Sequence, residues 1–220
     1  MKLRLIAILI FIVIKNISVF CQNDRKDLIK EYNTENQAGI ILKTNPFTLI
    51  TGPIVYTSEY RLTIESVTFK KQSLQVGVSY LGKGPLLRTL ENDTSAHQDK
   101  LKVNGFRFQF SYKFYFSKKT LLGFYLSPTL SYSTVKFKNA LQPQVGTFYH
   151  VIYENFGLLA GYQFLINKKL ALDFFFGYGN KYNYWYEVRD FKYTDSDETN
   201  RYFIREPIKI YLGFNIGLAF

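Results

Sequence analysis

Alternation of apolar and polar positions is the dominant pattern of this chain, and it is clearest over residues 208–220. Every even position there is large and apolar, from Ile208 to Phe220, whereas the odd positions are polar, small or amphipathic. A period of two predicts a β-strand with one apolar face. This strand is about twice as long as a typical strand of a soluble protein. Its length matches the roughly 9–11 residues that a tilted strand needs to cross a bilayer.

The same alternation recurs in earlier segments and gives eight predicted strands. They cover 38–49, 54–64, 73–82, 105–116, 121–133, 148–165, 170–187 and 202–220. Brief basic turns alternate with long polar links, the turns lying near 65–72, 117–120 and 166–169 and the links near 83–104, 134–147 and 188–201. This order predicts an all-β fold, an eight-stranded antiparallel up-and-down transmembrane β-barrel with a filled lumen.

The first hairpin departs from this order. Its link is predicted to be a tight turn at Thr51-Gly52-Pro53, although the other links at that end of the barrel are long. Pro46 is unfavourable inside a strand, so it predicts either a bulge or an early end of the first strand.

Aromatic residues decide between two kinds of barrel. The segment 105–116 places six aromatic residues on one face, and the whole chain has 18 Tyr and 21 Phe. A lipid-facing wall accepts such a face directly. The alternative is a soluble lipocalin-like barrel or β-sandwich, which puts its apolar face inward. Alternation alone does not tell which face points in, but strand length and aromatic content favour the membrane.

The first 21 residues have the layout of a secretory signal peptide. Lys2 and Arg4 precede an apolar run over 5–14, which is shorter than the about 20 residues of a membrane-spanning helix. Cleavage before Gln22 removes the single cysteine, Cys21, and with it any disulfide or thiolate site. Acylation of Cys21, as in a lipoprotein, is the alternative. The predicted organisation is a signal peptide over 1–21, a polar periplasmic lead-in over 22–37 and a barrel over 38–220.

The net charge of +11 falls to +8 once Lys2, Arg4 and Lys15 leave with the signal peptide. The remaining basic residues are spread along turns and strands of an exported chain. This distribution favours contact with anionic lipid head groups over contact with nucleic acid.

Charged residues are also predicted inside the barrel, where an eight-stranded ring leaves room only for side chains. The predicted lumen charge network consists of Lys43, Glu59, Arg61, Arg107, Lys113, Asp173 and Lys209. Because unpaired charges are costly there, we expect salt bridges and trapped water around Glu59 and Asp173. A narrow anion-selective channel is the alternative.

The last residues resemble the terminal signal of bacterial outer-membrane barrels, which the barrel assembly machinery recognises. The resemblance implies an assembly signal made of Phe214, Ile216, Leu218 and Phe220. The segments 41–47 and 56–61 are similar to the first hairpin of the small eight-stranded outer-membrane β-barrels of the Bacteroidota. The resemblance implies an integral location in a bacterial outer membrane, next to lipopolysaccharide. It does not imply a biochemical role.

Two such barrels are enzymes that act on lipid A, an acyltransferase and a deacylase, and both use a histidine with a serine and an acidic partner. The candidates here are His97 in a polar loop and His150 with Glu154, beside Ser131 or Ser133. No local motif of either enzyme matches. We therefore predict a non-catalytic protein without cofactor or metal, with lipid A modification as the alternative.

Surface features predict a structural or surface-interaction role. The outer loops 83–104, 134–147 and 188–201 are candidate interaction surfaces. An aromatic girdle is predicted at the membrane interfaces, made of Phe116, Phe164, Tyr182, Tyr184 and Trp185. For the cluster around Trp185, a binding patch on an extended hairpin is the alternative.

Overall fold

The computed structural model describes residues 39–50, 52–53, 57–93, 101–117, 120–139, 148–189, 192–195 and 208–220. The predicted signal peptide, the lead-in and His97 lie outside these residues. The strands are β1 (Ile40–Thr44), β2 (Thr57–Phe69), β3 (Gln72–Lys83), β4 (Leu101–Tyr115), β5 (Gly123–Asn139), β6 (Phe148–Ile166), β7 (Leu170–Arg189), β8 (Lys192–Asp195) and β9 (Ile208–Ala219). Two helices join them, a 3-10 helix (Pro46–Leu49) and α1 (Pro85–Asp93). Neither of these described helices is long and apolar enough to cross a membrane.

Eight of the strands form a closed antiparallel up-and-down barrel, which confirms the predicted fold class. Each of β1 to β7 pairs with its neighbours in sequence, and β9 closes the ring by pairing with both β7 and β1. The short β8 pairs with the far end of β7. Closure pairs the main-chain groups of neighbouring strands around the ring, except where β9 extends beyond the end of β1.

The register of the ring determines the tilt of its strands. Leu42 has a partner on β2, that residue has a partner on β3, and this path continued around the ring through β7 ends at Ile208 on β9. Leu42 itself, however, pairs directly with Leu218 of β9. This displacement along β9 tilts the strands by about 40° from the barrel axis. A ring of this size has an interior that side chains fill.

The polarity of the wall is inverted relative to a soluble barrel. On β4, the outward-facing Phe106, Phe108, Phe110 and Phe114 are between 43% and 53% exposed. The alternate residues point inward and are buried, although many are polar or charged, as at Arg107. The soluble-barrel alternative requires the opposite arrangement.

Several strand ends differ from the sequence prediction. β1 ends at Thr44, because Asn45 caps the 3-10 helix by accepting a hydrogen bond from the Phe47 amide at 3.0 Å. The first link is therefore longer than the predicted tight turn. β2 continues to Phe69, so its turn to β3 is shorter than predicted. The predicted polar link 83–104 contains α1 and the start of β4.

The turn between β6 and β7 illustrates the tight end of the barrel. Asn167 and Lys168 both have positive φ, and the Lys169 amide donates to the Ile166 carbonyl at 3.1 Å. This is a type I′ turn, whose twist matches that of the flanking strands. We call this end of the barrel the short-turn end, and the end that carries α1 the long-link end.

Gly161 on β6 tests the packing of the interior. A Cβ atom at Gly161 would lie 2.4 Å from the Tyr125 hydroxyl and 2.6 Å from the Phe174 carbonyl oxygen. We expect Gly161→Val to lower the free energy of unfolding by about 1–3 kcal/mol because Tyr125 must move. Urea unfolding of the refolded protein in detergent measures this. Gly39→Val, at a position with open space around it, is the control; equal effects of the two changes would contradict the packing.

Candidate functional site in the barrel interior

Two lysines and two carboxylates meet in the interior and form what we call the Asp173 cluster. The Lys43 and Lys113 ammonium groups each lie 2.8 Å from Asp173 Oδ2. Both also pair with Glu65 Oε2, Lys113 at 3.2 Å. All four side chains are buried, and their formal charges cancel. Each charge in the cluster is therefore paired with an opposite charge, as buried ionic groups require.

Neutral side chains complete the hydrogen bonding of this cluster. The Tyr125 hydroxyl donates to Asp173 Oδ1 and the Tyr115 hydroxyl donates to Glu65 Oε1, each at 2.6 Å. The Gln163 amide oxygen accepts from Lys43 at 2.6 Å and from Lys113 at 3.2 Å. Every carboxylate oxygen has a donor, so the cluster is a satisfied network across the lumen.

A second group of charges lies nearer the long-link end and forms the Glu59 cluster. Arg61 makes a bidentate contact with the Glu59 carboxylate, its Nε and Nη2 each donating to one carboxylate oxygen at 2.8 Å. Arg107 Nη1 lies 3.3 Å from Glu59 Oε2. Lys209 also points inward, with its Nζ 4.9 Å from the centre of the Tyr211 ring. Two arginines thus share one carboxylate, and Lys209 lies on the same side of the interior.

Polar atoms in the Glu59 cluster remain without a protein partner. Among the described residues, Arg107 Nε and the Tyr211 hydroxyl are buried and make no hydrogen bond. Both residues border a cavity of about 120 Å³. Its lining includes Asn45, Glu59, Arg61, Arg107, Lys209 and Tyr211.

Beside this cavity, within the described part of the chain, the ladder between β1 and β9 is shorter than the ladder between β7 and β9. The register of β1 with β9 runs from Ile41 opposite Ala219 to Thr44 opposite Ile216, and Ile40 and Phe220 extend it by exchanging two main-chain hydrogen bonds. β9 continues along β7 to Ile208. The 3-10 helix and its flanks lie in the space above Thr44 and are tied to β2. In particular, the Thr48 hydroxyl donates to the Glu59 carbonyl at 2.9 Å. The segment also contacts β9, since the Phe47 ring packs edge-on against the Phe214 ring with the ring centres 5.8 Å apart.

Apolar clusters fill the interior beyond the charges. At the long-link end, Leu87 of α1 packs among inward-facing residues, forming a mouth cluster of Leu81, Leu87, Val103, Val135, Val151 and Tyr153. At the short-turn end, a base cluster consists of Ile41, Leu121 and Ala171, with Val67, Leu165 and Ala219 packed against them. The described part of the lumen is thus occupied at both ends.

The structure places all seven residues of the predicted lumen set inside the barrel, in two clusters instead of one network. The sequence prediction omitted Glu65 because it placed this residue in a turn. It also omitted Tyr115, Tyr125 and Gln163, the neutral partners. Glu65 shares the odd-numbered phase of Glu59 and Arg61, and this phase was the available signal.

The histidine constellation is not assembled. His150 lies on the outer side of β6, where its Nε2 is 2.6 Å from the Thr134 hydroxyl, and Glu154 shares that face. Ser131 and Ser133 are buried on the inward face. The Ser131 hydroxyl accepts hydrogen bonds from Arg107 and Asn155, each at 3.1 Å. The described residues also contain no group of three or more side chains suited to a metal.

Four of the five predicted girdle residues lie on the outer face of the barrel, and the fifth points inward. Phe116, Phe164, Tyr182 and Tyr184 lie on the outer face and are exposed. Trp185 points inward and packs against the mouth cluster, because it has the opposite phase to its neighbours. The assembly-signal residues Phe214, Ile216, Leu218 and Phe220 occupy the outer side of β9 and its end.

Comparison of the chain with protein-family models, curated proteins and solved structures finds no match.

The Asp173 cluster predicts a large cost for removing one charge. Asp173→Asn leaves two buried ammonium groups facing a single carboxylate. We expect the free energy of unfolding to fall by about 3–5 kcal/mol, measured by urea unfolding in detergent. Lys102→Gln, at an exposed position of β4, is the control and should leave the midpoint unchanged. Similar midpoints for the two variants would show that the cluster does not stabilise the barrel.

Proposed function

We propose that the protein is an integral β-barrel of a bacterial outer membrane, non-catalytic, with a structural or surface-interaction role. The observation that carries this proposal is the inverted wall. Large apolar side chains cover the outside of all eight barrel strands. Such a continuous apolar surface is incompatible with free existence in water. A closed barrel is also the only β-structure whose backbone is satisfied within lipid.

The dimensions of the apolar wall support this proposal. On β4 the outward-facing residues are apolar or aromatic from Phe106 to Phe116, and the next outward residues are Asn104 and Lys102. At about 3.3 Å per residue and a tilt of about 40°, this band is about 25 Å high, the height of the apolar band of outer-membrane barrels.

Basic residues border the band toward the long-link end. Lys102 lies directly opposite Lys138 on β5. Lys136, two residues before Lys138 on the same strand, lies closer to the apolar band. Like charges in this arrangement repel each other unless an anion lies between them. Phosphate groups of lipopolysaccharide supply such anions, so this rim is where we place the lipid contact. The barrel assembly machinery and a surface ligand of the outer loops complete the proposed partners.

The filled lumen supports a role without solute flow. The mouth cluster, the Asp173 cluster and the base cluster follow one another along the axis. This arrangement favours the filled barrel over the anion-selective channel. The separated histidine and serines favour the non-catalytic role over lipid A modification.

Cell fractionation tests the location directly. We expect the protein in the outer-membrane fraction, with a shift in gel mobility between unboiled and boiled samples, because a closed barrel resists the detergent until it is heated. Recovery in a soluble fraction, or equal mobility of the two samples, would overturn the proposal.

A pair of arginine substitutions on β4 tests the depth of the band. In lipid vesicles, Phe110→Arg should lower the free energy of unfolding by about 2–4 kcal/mol because it places a charge at mid-height of the apolar wall. Asn104→Arg, on the same face beyond the band, should change it by no more than about 1 kcal/mol. Equal effects would mean that the outer face is not in contact with lipid.

A further inference from the structure

Three lysines lie close together on the outer face of β4 and β5, near the long-link end, and form what we call the lysine patch. Lys102 lies directly opposite Lys138, Lys136 lies two residues away, and all three are exposed. The Lys136 and Lys138 ammonium groups lie 5.2 Å and 5.3 Å from the centre of one ring, that of Phe148 on β6. Within the described residues, none of the three lysines makes an ion pair. The patch therefore attracts an anion from outside the chain.

The height of the lysine patch indicates what kind of lipid carries that anion. On β6 the outward-facing residues are apolar or aromatic from Ile166 to Phe156, and Glu154 is the next one toward the long-link end. Phe148 lies six residues beyond Glu154, which is about 15 Å along the barrel axis at about 3.3 Å per residue and a tilt of about 40°. The headgroup layer of a phospholipid bilayer is only roughly 5–8 Å thick on each side. An anion beside Phe148 therefore requires a lipid with a taller head, in which sugars carry the negative groups.

Glu154 places a carboxylate at the edge of the apolar wall. Its register partners are Tyr132 on β5 and Tyr182 on β7, both exposed. The described part of the chain gives the Glu154 carboxylate no hydrogen bond and no ion pair. A carboxylate beside lipid is favoured by a neighbour that donates a hydrogen bond. The esters of a glycerophospholipid only accept hydrogen bonds, whereas the amide and hydroxyl groups of an N-acylated sugar lipid can donate them.

A groove of about 500 Å³ crosses the outer wall at Glu154. It lies between two rows of register partners, one of them Val76, Phe110, Leu130 and Phe156 and the other Phe108, Tyr132, Glu154 and Tyr182. Such rows climb toward the long-link end from β3 to β7, so Glu154 and Tyr182 mark the higher end of the groove. Its lining is mostly apolar, and its volume falls within the roughly 300–1,000 Å³ of pockets that hold small molecules. The groove therefore suits one acyl chain that enters beside Glu154.

We propose that the lysine patch, Glu154 and the groove together bind one molecule of lipopolysaccharide. Acidic groups on its inner sugars lie at Lys102, Lys136 and Lys138. An amide or hydroxyl group of its acylated sugars donates to Glu154, and one acyl chain lies in the groove. This site rests on the proposed function, because only a barrel in an outer membrane meets this lipid on its outer wall.

Equilibrium binding of radiolabelled lipopolysaccharide to the full chain in detergent micelles tests the proposal. The probe is a deep-rough lipopolysaccharide, which is lipid A with only its acidic inner sugars. We expect saturable binding of one molecule per chain. Lipid A without these sugars should compete at least fivefold less well, and phosphatidic acid at least fiftyfold less well. Equal competition by phosphatidic acid would overturn the site and indicate a general contact with anionic lipid, and unsaturable uptake would overturn it as well.

A double substitution tests the lysine patch. Lys136→Gln with Lys138→Gln should weaken lipopolysaccharide binding at least tenfold, because two of the three cations are lost. Lys168→Gln with Lys169→Gln is the matched control, since it removes the same charge from two exposed lysines at the short-turn end. The control should bind as the parent does. Equal weakening by the two double variants would mean that overall charge, not this patch, attracts the lipid.

Glu154→Leu separates the lipid contact from the stability of the wall. This change should weaken lipopolysaccharide binding about threefold, because the donor of the lipid loses its acceptor. In phosphatidylcholine vesicles without lipopolysaccharide, the same change should raise the urea midpoint of unfolding, since leucine suits a lipid-facing wall better than a carboxylate. Binding at parent strength or above would overturn the site as proposed.

Filling the groove tests the seat of the acyl chain. Leu130→Trp places a larger apolar side chain between the two rows and should weaken lipopolysaccharide binding about fivefold. Leu158→Trp is the control, because Leu158 is a similarly exposed outward leucine that does not line the groove. Equal binding by these two variants would show that no acyl chain occupies the groove and would overturn the site.

The outcomes separate this site from the proposed function. Each preparation is first run boiled and unboiled on a gel to verify that the barrel has formed. Barrel formation without saturable lipopolysaccharide binding overturns the site and leaves the membrane proposal intact. Failure of the parent chain to show a heat-dependent shift overturns both.

Discussion

Closure of the main-chain hydrogen-bond ladder is the constraint on which the rest of the structure depends. An eight-stranded ring has no edge, and its stagger determines both the tilt of the strands and the narrow interior. Because alternate side chains point to opposite sides, the apolar outer wall forces the polar residues inward. The small lumen must then hold lysines, arginines and carboxylates close together, so the cost of burying their charges depends on how well they pair.

The two charge clusters meet this requirement to different degrees. In the Asp173 cluster, Lys43 and Lys113 balance Glu65 and Asp173, and tyrosine hydroxyls occupy the remaining carboxylate oxygens. In the Glu59 cluster, the cations outnumber the carboxylate and a cavity remains. The first cluster is a completed internal network. The second keeps two arginines on one carboxylate beside a cavity.

The period of two in the sequence was sufficient to predict the strand number, the fold class and the inward position of the lumen charges. It was not sufficient at the strand ends. The sequence prediction places Glu65 in a turn over 65–72. In the structure the chain reverses only at Lys70 and Lys71, so Glu65 lies within β2. The prediction for Trp185 followed its neighbours Tyr182 and Tyr184, but Trp185 is odd-numbered and so points to the opposite side of the wall. The position of the 3-10 helix between β2 and β9 and the insertion of Leu87 depend on contacts between distant segments, and no local pattern encodes such contacts.

The shortness of β1 has a consequence for how the ring forms. Contact between β1 and β9 joins segments at opposite ends of the barrel sequence, so its loop-closure entropy is the largest of any strand pair. Only four register pairs offset that cost. All other neighbouring strands of the ring except β1 and β2 have longer ladders. The seam between β1 and β9 therefore combines the largest loop-closure cost of the ring with one of its two shortest ladders.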